Sequence, residues 1–187
     1  MASGPQKDGN KWIVVCFFFQ TACPPLNQSI HIPLLLFLIV EEKLDGKHDL
    51  EITPTETKET VFLSNLKKCV VHIKSKVTTI SVVKCTETAI IFEDVVASFE
   101  ITNCDRVQVQ VNGAAPTMMV DKSSRVTIYL QTQASHNTEI ITSLADQVNV
   151  VVAKGEADPL ELSIPCQFKT TLDGSKLHTH PVEHVGV

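Results

Sequence analysis

The sequence predicts an all-β fold, a parallel β-helix with about 19 residues per coil, and three observations carry that reading. The first is a fixed apolar spacing. Val61, Ile80, Phe99 and Met118 form one column, and Leu63, Val82, Ile101 and Val120 form a second. Val71, Ile90, Val109 and Ile128 make a third, Ile73, Phe92, Val111 and Leu130 a fourth, and the smaller residues of Leu66, Cys85, Cys104 and Ser123 run between them. A period near twenty residues is the mark of a solenoid, in which each repeat buries its apolar face only by stacking on its neighbours. The second observation is alternation within a repeat, as in Val107-Gln108-Val109-Gln110-Val111, the pattern of a half-buried strand. The third is the dominance of β-branched residues from 60 to 153, with no 3.6-residue apolar stripe.

The elements follow in order. Residues 1–14 read as a lead-in and 15–40 as an apolar insert. Within the insert, Val14 to Phe19 and Ile32 to Val40 are apolar runs, interrupted by prolines and shorter than the ~18 apolar residues of a membrane span. Joining Lys11-Trp12-Ile13-Val14 directly to Glu41-Glu42-Lys43-Leu44 makes an ordinary amphipathic β segment, so the insert reads as an insertion or a translated intron. A secretory leader ending near Ala22 is the competing reading. Residues 41–164 are the β-helix, five to six coils and about 25 Å tall at roughly 4.8 Å per stacked strand. Polar corners such as Asn112-Gly113 and Asp121-Lys122-Ser123-Ser124 separate its strands. Extra residues around Ala134-Ser135-His136-Asn137 lengthen the last repeat to 22, so that Ile140, Val148, Val150 and Val152 fall under Met118, Val126, Ile128 and Leu130. Residues 165–187 hold a hairpin around Asp173-Gly174 and a tail.

Composition fits one cytosolic domain: 187 residues, 43% hydrophobic, and a formal charge of −5 that argues against nucleic-acid binding. Cys85 and Cys104 fall one coil apart in the inward column and read as packed free thiols rather than as a bridge. No CxxC spacing points to a metal, and His178, His180 and His184 read as solvated imidazoles. No cofactor is expected.

Phe92-Glu93-Asp94-Val95-Val96, continuing through Glu100 to Leu130, resembles the C-terminal domain of the cyclase-associated proteins. The opening Lys7 to Trp12, Pro165 to Thr170 and Asp173 to Leu177 are similar to landmarks of that family in the same order. The resemblance implies a right-handed parallel β-helix that pairs as a homodimer through its C-terminal hairpin, with Phe168, Thr170, Leu172 and Leu177 at the interface. It implies a cytoplasmic protein of the actin cytoskeleton that binds monomeric actin, prefers the ADP form and promotes nucleotide exchange, with no membrane partner. No N-terminal helical domain, proline-rich segment or WH2-type motif is present, so adenylyl cyclase is not carried over as a partner. Cys166 stands where an acidic residue is common, and Ser124-Arg125 replaces a glycine-containing corner.

An actin surface must come from outward columns. Asn65, Lys84, Asn103 and Lys122 form one polar column, and Lys68, Glu87, Arg106 and Arg125 another, which holds both arginines of the chain. The expected docking ladder is Lys84, Arg106, Lys122 and Arg125, a row of mutually repelling cations suited to acidic actin. The tail from Thr179 to Val187, with Val182 and Val185 as apolar anchors, is the expected element that distinguishes nucleotide states. A solvated face is the plain alternative for the ladder. A second functional class is the tubulin-cofactor-C-like β-helix, which supplies an arginine to a small GTPase, and Arg106 is its only candidate here. The Glu93-Asp94 pair reads as a turn rather than a catalytic dyad, and the chain reads as a non-enzyme.

Overall fold

The computed structural model describes residues 6–8, 11–13, 37–41, 45–54, 57–155 and 157–182. Strands β1 (Gln6–Asp8) and β2 (Lys11–Ile13) form a short antiparallel pair. Strands β3 (Phe37–Glu41), β5 (Thr60–Ser64), β7 (Val77–Val83), β9 (Val95–Thr102), β11 (Thr117–Asp121) and β13 (Glu139–Ser143) stack in that order into a six-stranded parallel sheet. Between them in the chain, β4 (Asp45–Ile52), β6 (Lys67–Ile73), β8 (Thr86–Phe92), β10 (Asp105–Val111), β12 (Ser124–Leu130) and β14 (Asp146–Lys154) form a second parallel stack. The antiparallel strand β15 (Ala157–Ile164) extends this second sheet at its C-terminal end, and β16 (Phe168–Asp173) and β17 (Lys176–Pro181) form a separate hairpin. Each successive strand pair is one coil of a parallel β-helix.

The apolar columns are the core. Val61 pairs with Ile80, Ile80 with Phe99 and Phe99 with Met118, and all four side chains are fully buried. Val71, Ile90, Val109 and Ile128 do the same from the opposite sheet. Each such side chain contributes roughly 1.5–3 kcal/mol by leaving water. The rings of Phe92 and Phe99 stack at 5.0 Å across the interior, filling the width between the sheets. The extra residues of the last repeat form a 3-10 turn, Gln133–Asn137, in which the Ser135 hydroxyl donates to the Thr132 carbonyl at 2.7 Å. The loop is absorbed there, and Met118 pairs with Ile140 and Val126 with Val148, as the spacing predicts.

One boundary moves. Phe37 to Val40, expected as the end of the insert, belong to β3: Leu38 pairs with Val61 and Val40 with Leu63. Leu38-Ile39-Val40 shows no apolar-polar alternation and continues the run of leucines before it, and a spacing of 23 residues rather than 19 concealed the register. The remainder of the insert, residues 15–36, lies outside the described residues.

The corners between β5 and β6, and at every later coil, are turned by left-handed backbone. Asn65, Lys84, Asn103, Lys122 and Leu144 begin the corners, and Lys68, Glu87, Arg106, Arg125 and Gln147 end them, all with φ between 47° and 57°. This conformation costs a non-glycine residue about 1–2 kcal/mol. Inter-coil hydrogen bonds offset it: the Lys84 N–H donates to Thr102 O at 3.0 Å, Asn103 to Asp121 O at 3.1 Å, and Lys122 to Ser143 O at 2.9 Å. A left-handed residue throws its side chain outward, which is why the two polar columns face solvent while Leu66, Cys85, Cys104 and Ser123 between them face the core.

Candidate binding surface

The corner ridge brings all four residues of the expected ladder to one edge of the solenoid. Lys84 and Lys122 lie two coils apart in the first left-handed column, and Arg106 and Arg125 are stacked on adjacent coils in the second. The ridge is not the row of bare cations that column reading suggested. Arg106 is ion-paired with Glu87 on the preceding coil, and its Nε lies 3.4 Å from Asp105 Oδ2. Arg125 reaches back to Asp105 Oδ1, which also accepts from the Ser124 hydroxyl at 2.9 Å. Partial burial pushes the Asp105 carboxyl up, but the hydrogen bonds from Arg125 and Ser124 and the charges of both arginines outweigh it, so the carboxyl sits below the usual carboxylate range. Lys122 Nζ is 3.4 Å from Asp121 Oδ2. Among the described residues, Lys84 has no carboxylate partner. The ridge is therefore an alternating, internally paired charge strip from Glu87 to Arg125, with Lys84, like Lys68 in the second column, lacking a carboxylate partner among the described residues.

This pairing also bears on Arg106 as a finger for a GTPase. A finger arginine must reach phosphate oxygens, whereas Arg106 is already committed to two carboxylates.

The hairpin is two-faced. Phe168 lies opposite Pro181, Thr170 opposite Thr179 and Leu172 opposite Leu177, which puts all six on one face. Lys169, Thr171, His178 and His180 occupy the other. Gly174, first of the two loop residues, has φ 58°, the conformation a type II′ turn requires there. Phe168, Leu172 and Leu177 are 62% to 71% exposed in the single chain, so an apolar face stands uncovered. Thr179 belongs to this face, with its hydroxyl 3.0 Å from that of Thr170, rather than to a tail beyond the hairpin. Strand pairing extends three residues further than the turn signal alone indicated. Val182 continues the hairpin by donating its N–H to Gln167 O at 2.9 Å, and Val185 lies outside the described residues.

Two features of the surface were not legible as columns. Column position places Glu87 among the outward residues but does not show that it and Asp105 pair with the arginines. Leu144 takes the position that asparagine or lysine holds on the coils above, a departure visible only once the 22-residue register is imposed. Among the described residues no three histidine, cysteine or acidic side chains gather into a metal-holding group, and no helix is long and apolar enough to cross a membrane.

A coiled stack of this kind with a terminal hairpin has a counterpart. The family described as adenylate cyclase associated (CAP) C terminal matches residues 38–184. The chain belongs to this family. Cyclase-associated protein 1 of Arabidopsis thaliana is 38% identical over 143 residues, covering 75% of this chain and 30% of the relative. The adenylyl cyclase-associated protein of Dictyostelium discoideum is 36% identical over 148 residues, covering 78% and 32%. The chain thus spans about a third of the length of these relatives. The crystal structure of cyclase-associated protein from Cryptosporidium parvum superimposes with a TM-score of 0.70 at 21% identity, over 97% of this chain and 98% of that one. At that identity the likeness concerns the fold, a β-solenoid closed by a hairpin. The matched range begins inside β3, in line with the first coil starting before residue 41.

Proposed function

We propose that this CAP C-terminal domain binds monomeric actin, holds the ADP form more tightly, and promotes its exchange to ATP, acting without catalysis of its own. The observation that carries the reading is membership of the cyclase-associated family over residues 38–184, on a solenoid with a broad charged ridge. Docking is assigned to the ridge: Lys84 as an open cation, with Arg106, Lys122 and Arg125 held in place by Glu87, Asp105 and Asp121. A paired arginine gives up less conformational freedom on binding than a free one, so the ladder favours orientation over raw attraction. The differential contact is assigned to the C-terminal end that follows β17, from Val182 through Val185, with Thr179 counted in the hairpin instead.

The active species is a homodimer in this reading. Residues 165–182 form the dimerisation element, and its exposed Phe168, Thr170, Leu172 and Leu177 face is the contact. On the body, Leu160 and Leu162 of β15 stand in register with half-buried Val152 and the core residue Val150 and are themselves exposed, leaving the C-terminal end of the core open. Exchange of hairpins between two copies covers both apolar surfaces in one symmetric contact.

The test is release of a fluorescent ATP analogue from actin. The full chain accelerates release. A chain lacking Pro181 to Val187 retains binding and loses acceleration. An unchanged release rate after the deletion removes the tail from the mechanism.

A further inference from the structure

Leu144 occupies a position that nothing in the fold favours. It begins a corner in left-handed backbone at φ 49°, and its side chain is 79% exposed. The same column holds Asn65, Lys84, Asn103 and Lys122, residues that are soluble there, and asparagine tolerates the left-handed region best. Two further apolar side chains face outward on the same coil and on the one before it, Ile141 three residues ahead of Leu144 and Met119 in register with Ile141. Met119 and Ile141 are paired neighbours on β11 and β13, 41% and 43% exposed. Carboxylates outnumber cations around the three, with Lys122 stacked on Leu144 one coil away as the exception. Glu100 lies directly above Met119 in register, Asp121 and Glu139 lie two positions along the same outward faces, and Asp146 follows Leu144. Asp121 is paired with Lys122, but among the described residues no lysine or arginine pairs with Glu100, Glu139 or Asp146.

We propose that Met119, Ile141 and Leu144 are the apolar anchor of a second docking surface, which takes a basic segment of a partner protein that inserts apolar side chains. An apolar centre with a polar rim is the anatomy of a protein interface, and the sign of the rim chooses the partner. The carboxylates of the rim favour a basic segment over the acidic partner assigned to the arginine ridge, although the patch adjoins that ridge at Lys122. Strained backbone clusters at ligand clamps and switch regions, and exposed apolar patches with a polar rim mark interaction sites.

The test uses the full chain with two labelled probes, a short amphipathic leucine–lysine peptide and an oligolysine of equal charge. The leucine–lysine peptide binds in the micromolar range by fluorescence anisotropy and the oligolysine does not. Leu144→Asn and Ile141→Thr each weaken binding about tenfold, and Glu139→Gln weakens it while flattening its salt dependence. Leu144→Asn also raises the thermal midpoint by about 2 °C, because it relieves the left-handed strain and removes exposed apolar surface. Equal binding of both probes, absence of peptide binding, or unchanged affinity in Leu144→Asn overturns the proposal. If Leu144→Asn abolishes self-association and leaves peptide affinity intact, the patch belongs to a second copy of this chain and the proposal fails. Each outcome is independent of actin binding, which the ridge variants read separately.

Discussion

The backbone N–H of Cys85 donates to the Sγ of Cys104 across one coil, at 3.3 Å. The next step repeats it: the Cys104 N–H donates to the Ser123 hydroxyl at 3.0 Å. The small inward residues of the corner column therefore accept a backbone donor that the turn leaves without a strand partner, which explains small polarisable side chains in an otherwise aliphatic core. The hydrogen bond with Cys104, followed by burial, pushes the Cys85 thiol well above its ordinary range, so it stays protonated. Replacement of Cys104 by serine keeps an acceptor and is tolerated. Replacement by valine strands the Cys85 N–H and costs about 1–3 kcal/mol in urea unfolding. In mapped alkylation of the native chain, exposed Cys166 labels before buried Cys69, Cys85 and Cys104.

Ile101 and Gln108 face opposite ways, one inside the coil stack at 1% exposure and the other on the surface. Ile101→Asp places an unpaired charge between stacked coils and destabilises by roughly 4 kcal/mol or more, whereas Gln108→Asp stays within about 0.5 kcal/mol. Denaturant midpoints of the two variants separate these values.

The difference between legible and hidden parts follows from the physics of each. The coils were legible because every repeat must present apolar atoms at the same height, and Val61, Ile80, Phe99 and Met118 cannot vary without opening a void. Corner backbone was half legible: Asn65 and Asn103 hint at left-handed turns, but Lys84 and Arg125 adopt the same conformation with no such hint. The pairing of Arg106 with Glu87 depends on side chains reaching between coils, which column position does not reveal. The start of the first coil was placed four residues late, at 41 rather than 37, because β3 breaks the spacing.

Asp105 links two arginines to one carboxylate, and its lowered pKa fixes the sign of a pH effect. A carboxyl depressed in the folded state contributes stability above the ordinary carboxylate range. That contribution is lost as pH falls through the lower, folded value. Asp105→Asn is therefore less stable than the parent chain at neutral pH, and the gap closes in acid. A gap that persists at pH about 2, below the usual carboxylate range, shows that packing rather than charge carries the contribution.

The hairpin carries the proposed dimer. Truncation before Pro165 leaves Leu160 and Leu162 exposed with no partner, so the shortened chain sediments as a monomer and aggregates more readily than the parent. Leu172→Asp or Leu177→Asp in the full chain gives monomer with the fold intact, since neither side chain touches the core of its own copy. A full chain that sediments as a monomer at micromolar concentration removes the hairpin exchange.

Binding to monomeric actin tests the central claim most directly. Labelled actin is loaded with ADP or with ATP and titrated with the full chain, alongside a variant carrying Lys84→Glu and Lys122→Glu. The account predicts tighter binding to the ADP form and weaker binding by the double variant to both forms. Its residual affinity depends less on salt, because two steering cations have been reversed. Absence of binding to either form, or equal affinity for both that the double variant leaves unchanged, contradicts it.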